Sequence, residues 1–249
     1  MRRFENKIVF VTGAASGIGL ATVLRLADEG ATIICTDIQE EKINEAAKQC
    51  EERGAETLPM VLDVSDPDAA KSAIQSAIDR FGRLDALLNI AGILRFEHTH
   101  EITLENWNHI LNVNLTGTFL MCREALPYLL ESKGNIVNMS SNAALAGHPW
   151  TAAYSASKGG ILAFTYTLAV EYGKQGLRAN AVCPGAIKTP IFNAFNLPEG
   201  ADGKLVYRIL PILKDGVPED GAASICFLAS DDAAHINGIA LRVDGGTLS

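Results

Sequence analysis

Short β-branched runs alternate along the chain with longer segments of helical period. The strand-like runs cover residues 8–11, 32–36, 57–62, 86–89, 135–139, 178–183 and 239–243. Apolar residues recur at helical spacing over 17–29, 40–53, 67–81, 103–132, 152–176 and 218–229. Runs that are apolar on every face suit strands buried on both sides, and their alternation with helices predicts a parallel sheet. Right-handed crossovers then give a doubly wound α/β sheet. No linker, repeat or low-complexity segment interrupts 1–249, so a single domain is expected.

One stretch breaks the rhythm. Between the sixth strand and the last helix, residues 187–213 hold Ile187, Ile191, Phe192, Phe195, Leu197, Leu205, Tyr207, Ile209, Leu210, Ile212 and Leu213, interrupted by Pro190, Pro198 and Gly200. An apolar excursion past the carboxyl end of a strand is where an α/β protein builds a substrate pocket or lid. A short helix hairpin filling an oligomer interface is the other reading.

Composition narrows the function. Of 249 residues, 48% are hydrophobic and 20% charged, enough for a large core and unlike a disordered chain. The 21 Lys and Arg against 29 Asp and Glu leave a net charge of −8, without a basic block. That is a poor match for a nucleic-acid backbone. Nothing approaches the roughly 18 apolar residues of a membrane helix. Met1-Arg2-Arg3 could open a signal peptide, but the apolar run at 8–11 is too short to continue one. Cys35, Cys50, Cys122, Cys183 and Cys226 form no Cys-x-x-Cys and sit in apolar runs, as reduced core thiols of a cytoplasmic protein would.

The first strand runs into Thr12-Gly13-Ala14-Ala15-Ser16-Gly17-Ile18-Gly19 and then a helical pattern. Glycines here permit a tight turn and let backbone N–H groups approach a pyrophosphate at the helix N-terminus. The second strand ends at Asp37, 18 residues past Gly19. A carboxylate there accepts hydrogen bonds from the adenosine ribose hydroxyls and repels a 2′-phosphate. Ile38-Gln39-Glu40-Glu41 and loop positions 14–16 bring no cation, so NAD is favoured over NADP, with Lys42 the nearest objection. Asp63-Val64, after the third strand, suits an adenine contact or a helix cap.

Tyr154 and Lys158 lie four apart in a helical segment, on one face. A tyrosine with pKa near 10 is a poor proton carrier at neutral pH. A neighbouring ammonium and an oxidised nicotinamide would stabilise the phenolate. The fifth strand delivers Ser140 and Ser141 to the carboxyl edge of the sheet, 13 residues before Tyr154 for the latter. A hydroxyl there can hold a substrate carbonyl against the phenol.

With these pieces the chain resembles the short-chain dehydrogenase/reductase family from Lys7 to Gly246. The matching motifs are the glycine loop, Asn89-Ile90-Ala91-Gly92, Asn112-Val113-Asn114, Ser140-Ser141, Tyr154-Ser155-Ala156-Ser157-Lys158, Pro184-Gly185-Ala186-Ile187-Lys188-Thr189 and Val243-Asp244-Gly245-Gly246. The resemblance implies a Rossmann fold, an alcohol dehydrogenase or ketone reductase, and a tetrad of Asn114, Ser141, Tyr154 and Lys158. Tyr154 is then the general acid in reduction and the base in oxidation, and Lys158 also binds the nicotinamide ribose. Asn114 holds a water that links Lys158 to solvent. Thr189 meets the carboxamide, Pro184, Gly185 and Ile187 flank it, and Asn89, Ala91 and Gly92 line the cofactor's path. Where the family usually has Asn-Asn-Ala-Gly, Ile90 replaces the second Asn. Lys188 is either solvated or turned to an anionic group.

Several other readings compete. Glu97-His98-Thr99-His100-Glu101 gathers potential metal ligands, but no further His or Cys sits at a matching spacing, and a solvated loop is expected. His148 and Trp150, between Ser141 and Tyr154, are expected to face substrate, with core packing the alternative for Trp150. A 3-oxoacyl-(acyl carrier protein) reductase would want NADPH and a basic docking patch; Asp37 and the sparse charge near 127–131 and 174–176 oppose it. A non-catalytic NAD-binding module would show an eroded tetrad. The apolar lid favours a hydrophobic or alicyclic alcohol or ketone. Relatives pair their two long helices, so a homodimer or homotetramer is expected.

Overall fold

A computed structural model describes residues 2–191 and 196–249. The chain alternates strand and helix: β1 (Ile8–Thr12), α1 (Gly17–Asp28), β2 (Thr32–Asp37), α2 (Glu40–Glu51), β3 (Thr57–Val61) and α3 (Pro67–Phe81). Then follow β4 (Ala86–Asn89), α4 (Leu104–Leu111), α5 (Gly117–Ser132), β5 (Asn135–Met139), α6 (Ala152–Tyr172), β6 (Arg178–Pro184), α7 (Pro218–Ala229) and β7 (Ala240–Val243). The seven strands form one parallel sheet in the order β3-β2-β1-β4-β5-β6-β7.

Alternate strand residues feed two cores. Val9, Val11, Ile33 and Leu88 pack with α1, α2 and α7 on one face. Phe10, Ile34, Leu87 and Ile136 pack with α3, α5 and α6 on the other. Both faces being covered explains why the strands read as unbroken apolar runs rather than alternating ones. All five cysteines are buried as free thiols. At the chain's start, the Arg3 guanidinium grips Glu29 at the end of α1 through two bonds of 2.6 and 2.7 Å. A third contact, to Asp232 at 3.3 Å, ties in the segment after α7.

The sequence expectation of one helix over 103–132 is corrected. Residues Asn112–Thr116 form a π-helical turn between α4 and α5. Within it, Asn114 Oδ1 accepts from Ile93 N–H at 2.8 Å, and Nδ2 donates to Ile93 O at 3.0 Å. Such turns recur at functional sites because they re-aim a side chain inside a helix. Over 152–176, α6 stops at Tyr172 and a 3₁₀ turn, Gly173–Gln175, completes the span. In the stretch 187–213, a 3₁₀ segment runs Gly203–Ile209, while Phe192 and Phe195 lie outside the described residues.

Candidate active site

The sheet order reverses between β1 and β4, and a cleft of about 710 Å³ opens at the carboxyl ends of the strands there. This is the crevice where doubly wound sheets bind ligands. Its floor is the β1–α1 turn. Gly13 has φ +68°, and a Cβ on it would stand 2.8 Å from Ala91 Cα. A Cβ on Gly19 would overlap the Gly13 carbonyl oxygen. Thr12 Oγ1 accepts from Ile90 and Ala91 N–H at 3.1 and 3.2 Å, fixing the turn to the end of β4. Ser16 precedes α1 without capping it through its side chain, so the first N–H groups of α1 face the cleft without a side-chain partner. A pyrophosphate fits this arrangement.

Asp37 ends β2 at the cleft edge. Its carboxylate accepts Ala15 N–H at 3.3 Å and Gln39 N–H at 3.0 Å, which aims it at the loop. Ile38 beside it is 67% exposed. Asp63 and Val64 line the same end. Asp63 accepts from Ser65 N–H and Oγ at 2.9 and 2.6 Å, while Asp66 caps α3 through Asp68 and Ala69 N–H. The capping alternative raised for Asp63 therefore belongs to Asp66.

At the opposite end, α6 presents Tyr154 and Lys158. Lys158 is buried, and its Nζ donates to Met139 O at 2.8 Å and lies 5.6 Å from the Tyr154 ring centroid. Burial pushes this ammonium down to about 8. Burial also raises the Tyr154 phenol above its ordinary value, with the Ser141 hydroxyl pulling the other way. Ser141 Oγ accepts from Ala143 N–H at 3.1 Å, with Pro184 O at 3.5 Å. Ser140 is occupied: its Oγ donates to Lys158 O at 2.9 Å.

Other expected residues fall into two groups. Gly17, Ile18, Ala91, Gly92, Pro184, Gly185, Ile187, Thr189 and His148 line the cleft. Asn89, Asn114 and Trp150 do not. Asn89 lies beneath the floor, where Nδ2 donates to Asn138 Oδ1 at 2.9 Å and to Cys122 Sγ at 3.2 Å. Asn114 stands behind Gly92 and donates to Ser157 Oγ at 3.0 Å. Trp150, expected against substrate, instead turns the chain at φ +61°, its carbonyl taking Glu97 N–H at 2.8 Å. Lys188 is exposed and 3.9 Å from Asp215. In the histidine-rich loop, His98 Nε2 meets Glu199 O at 3.0 Å, and His100 lies 3.6 Å from Glu101. Among the described residues no group of three or more His, Cys, Asp or Glu could hold a metal ion.

Some residues in and beneath the cleft were not foreseen. Leu94, Phe96 and His109 line the cleft beside Val206, Ile209 and Leu210, which belong to the apolar stretch 187–213 already expected to form a pocket or lid. Asn138 Nδ2 donates to Thr165 Oγ1 at 3.0 Å and so ties β5 to α6 beneath the site. Each of these depends on contacts between distant segments, for which the sequence carries no local signal.

A family model for enoyl-(acyl carrier protein) reductases matches residues 13–247. The 3-oxoacyl-(acyl carrier protein) reductase of Thermotoga maritima is 40% identical over 245 residues, which is 98% of either chain. Levodione reductase superposes with a TM-score of 0.91 at 33% identity, covering 98% of both chains. Carveol dehydrogenase from Mycobacterium avium, solved in complex with NAD, gives 0.91 at 29% identity, covering 100% of this chain and 99% of that one. The match to the family model over nearly the whole length, the full-length relative and the parallel sheet agree: the chain belongs to the short-chain dehydrogenase/reductase family, whose chemistry is oxidation and reduction.

Proposed function

We propose that the chain moves a hydride between NAD(H) and a secondary alcohol or ketone of apolar, alicyclic character. The observation that carries this reading is the meeting on one cleft of Tyr154 and Lys158 from α6 with Ser141 from the end of β5, facing a glycine-lined helix N-terminus. Levodione reductase and carveol dehydrogenase, named for ring ketone and ring alcohol chemistry, support it.

The nicotinamide ring supplies the hydride or takes it up. The protein's own groups do the rest. The N–H groups at the start of α1 bind the pyrophosphate, with Gly13, Ser16, Gly17, Ile18 and Gly19 leaving it room. Asp37 bonds the adenosine ribose hydroxyls and excludes a 2′-phosphate by charge, and Ile38, Asp63 and Val64 flank the adenine. Ser141 holds the substrate oxygen, and Tyr154 Oη gives it a proton in reduction or removes one in oxidation. Burial raises the phenol, and the Lys158 ammonium together with a bound oxidised nicotinamide would stabilise its anion. Asn114 steadies Ile93 at the cleft wall through its side chain, and its backbone would hold a water that links Lys158 to solvent. Apolar residues of 187–213, including Ile191, Val206, Ile209 and Leu210, close over the substrate as a lid. The exposed Val170, Tyr166 and Phe119 on α5 and α6 suit pairing with a second copy.

The test is steady-state oxidation of a panel of cyclic and acyclic secondary alcohols with NAD and NADP. Replacing Tyr154 by Phe is expected to lower kcat by about 10²- to 10⁴-fold, the usual worth of a positioned acid–base group. Undiminished turnover by Tyr154→Phe would remove the assignment. A second reading, reduction of 3-oxoacyl thioesters, is favoured by the Thermotoga maritima relative. Faster reduction of acetoacetyl-CoA with NADPH than of any cyclic ketone with NADH would establish it instead.

A further inference from the structure

We infer that the substrate carries a second, uncharged oxygen, a hydroxyl or a carbonyl, and that His148 receives it. This rests on the alcohol–ketone reading above and narrows its substrate class. His148 lines the cleft six residues before Tyr154, in the same segment between Ser141 and α6. Its Nε2 is shielded from water and has no hydrogen-bond partner among the described residues. A buried nitrogen left so is costly, and a ligand that supplies a partner recovers that cost. The terminal torsion of a histidine has broad, roughly two-fold wells, and a turn of the ring about it would bring Nε2 to a bound molecule.

The rest of the wall leaves His148 as the group for this task. Ser141 and Tyr154 serve the reacting oxygen. Thr151 Oγ1 is engaged by His148 O at 3.1 Å and Ser155 Oγ at 2.9 Å. His109 also borders the cleft but is exposed and satisfied by solvent. Asn142 Nδ2, another unpartnered donor, lies against Gly185, where even a methyl group would meet it at 3.1 Å. Burial holds the imidazole pKa below its ordinary value, so the ring meets its partner neutral. Lys158 is the only Lys or Arg among the described cleft residues, and Met139 O already holds it. A carboxylate or phosphate on the substrate would therefore find no counter-ion, whereas a hydroxyl can either give or take a hydrogen bond with the ring.

The experiment compares kcat/KM with NADH on cyclohexanone, 4-hydroxycyclohexanone and 1,4-cyclohexanedione for the wild type, His148→Leu and His148→Gln. The wild type is expected to favour the doubly oxygenated rings by about 10- to 100-fold, the penalty a buried polar group imposes on an analogue that leaves it unpaired. His148→Leu should erase that ratio, and His148→Gln, which keeps a donor and an acceptor, should restore part of it. A preference that survives in His148→Leu, its absence in the wild type, or an equal loss on all three ketones would each overturn the inference. If His148→Leu does not fold, the wild-type ratio and His148→Gln decide. Failure of the wild type to reduce any cyclic ketone in a Tyr154-dependent way is a different result, and it removes the proposed function itself.

Discussion

Asp37 and Lys158 mark the two ends of the cleft, and each allows a prediction from its own charge. Asp37→Ala should raise kcat/KM for NADP relative to NAD by roughly 10- to 100-fold, the effect of lifting one like charge from beside a phosphate; initial rates with both nucleotides check it. Lys158 is held near 8 by burial against 10.5 in the unfolded chain. Between those values the unfolded state keeps a proton that the native state has released, so Lys158 makes stability rise with pH across that window. Below about 8 its penalty is complete and constant. Urea midpoints from pH 7 to 10 should therefore climb more steeply in the wild type than in Lys158→Met. Residues of this kind were legible because one element carries them: a four-residue helical spacing survives any tertiary arrangement. The burial of the Tyr154 phenol was not, since it arises only in the assembled fold. Trp150 does not line the cleft, and its φ of +61° could not be read from the sequence.

Elements were read most securely where hydrophobic period and punctuation agreed. β4, β5, α3 and α7 lie at the expected residues because Pro67 and Pro218 open the two helices and polar residues bound the two strands. The π-helical turn was invisible, since the partner Asn114 meets there is Ile93, 21 positions away. Beneath the site, α6 is registered on β5 by Asn138 and Thr165, which are 27 positions apart. Thr165→Val should leave the Asn138 amide unpaired in the core and cost about 1–3 kcal/mol. Denaturant unfolding measures it, and Asn138→Leu combined with Thr165→Val should cost less than the sum of the two alone.

At the scale of the molecule, the Arg3–Glu29 pair fastens the start of the chain to the end of α1, with side chains only 12% and 11% exposed. Glu29→Leu leaves the largely buried Arg3 guanidinium only its longer contact to Asp232 and should lower stability by about 1–3 kcal/mol, read from chemical denaturation. No feature of Arg3 in sequence distinguished it from a leader charge. The sheet order adds a kinetic consequence. Strands β1 to β3 and β4 to β7 each grow outward in chain order, so the β1–β4 contact is the seam between the two halves of the sheet. Opening along that seam would split the floor on which the proposed dinucleotide rests, with Gly13 on one side and Ala91 on the other. The ligand therefore works as a staple across a fault line. At a hundredfold excess over its Kd it should add about 2.7 kcal/mol of stability. Amide exchange should slow together in β1 and β4, at rates that track nucleotide concentration.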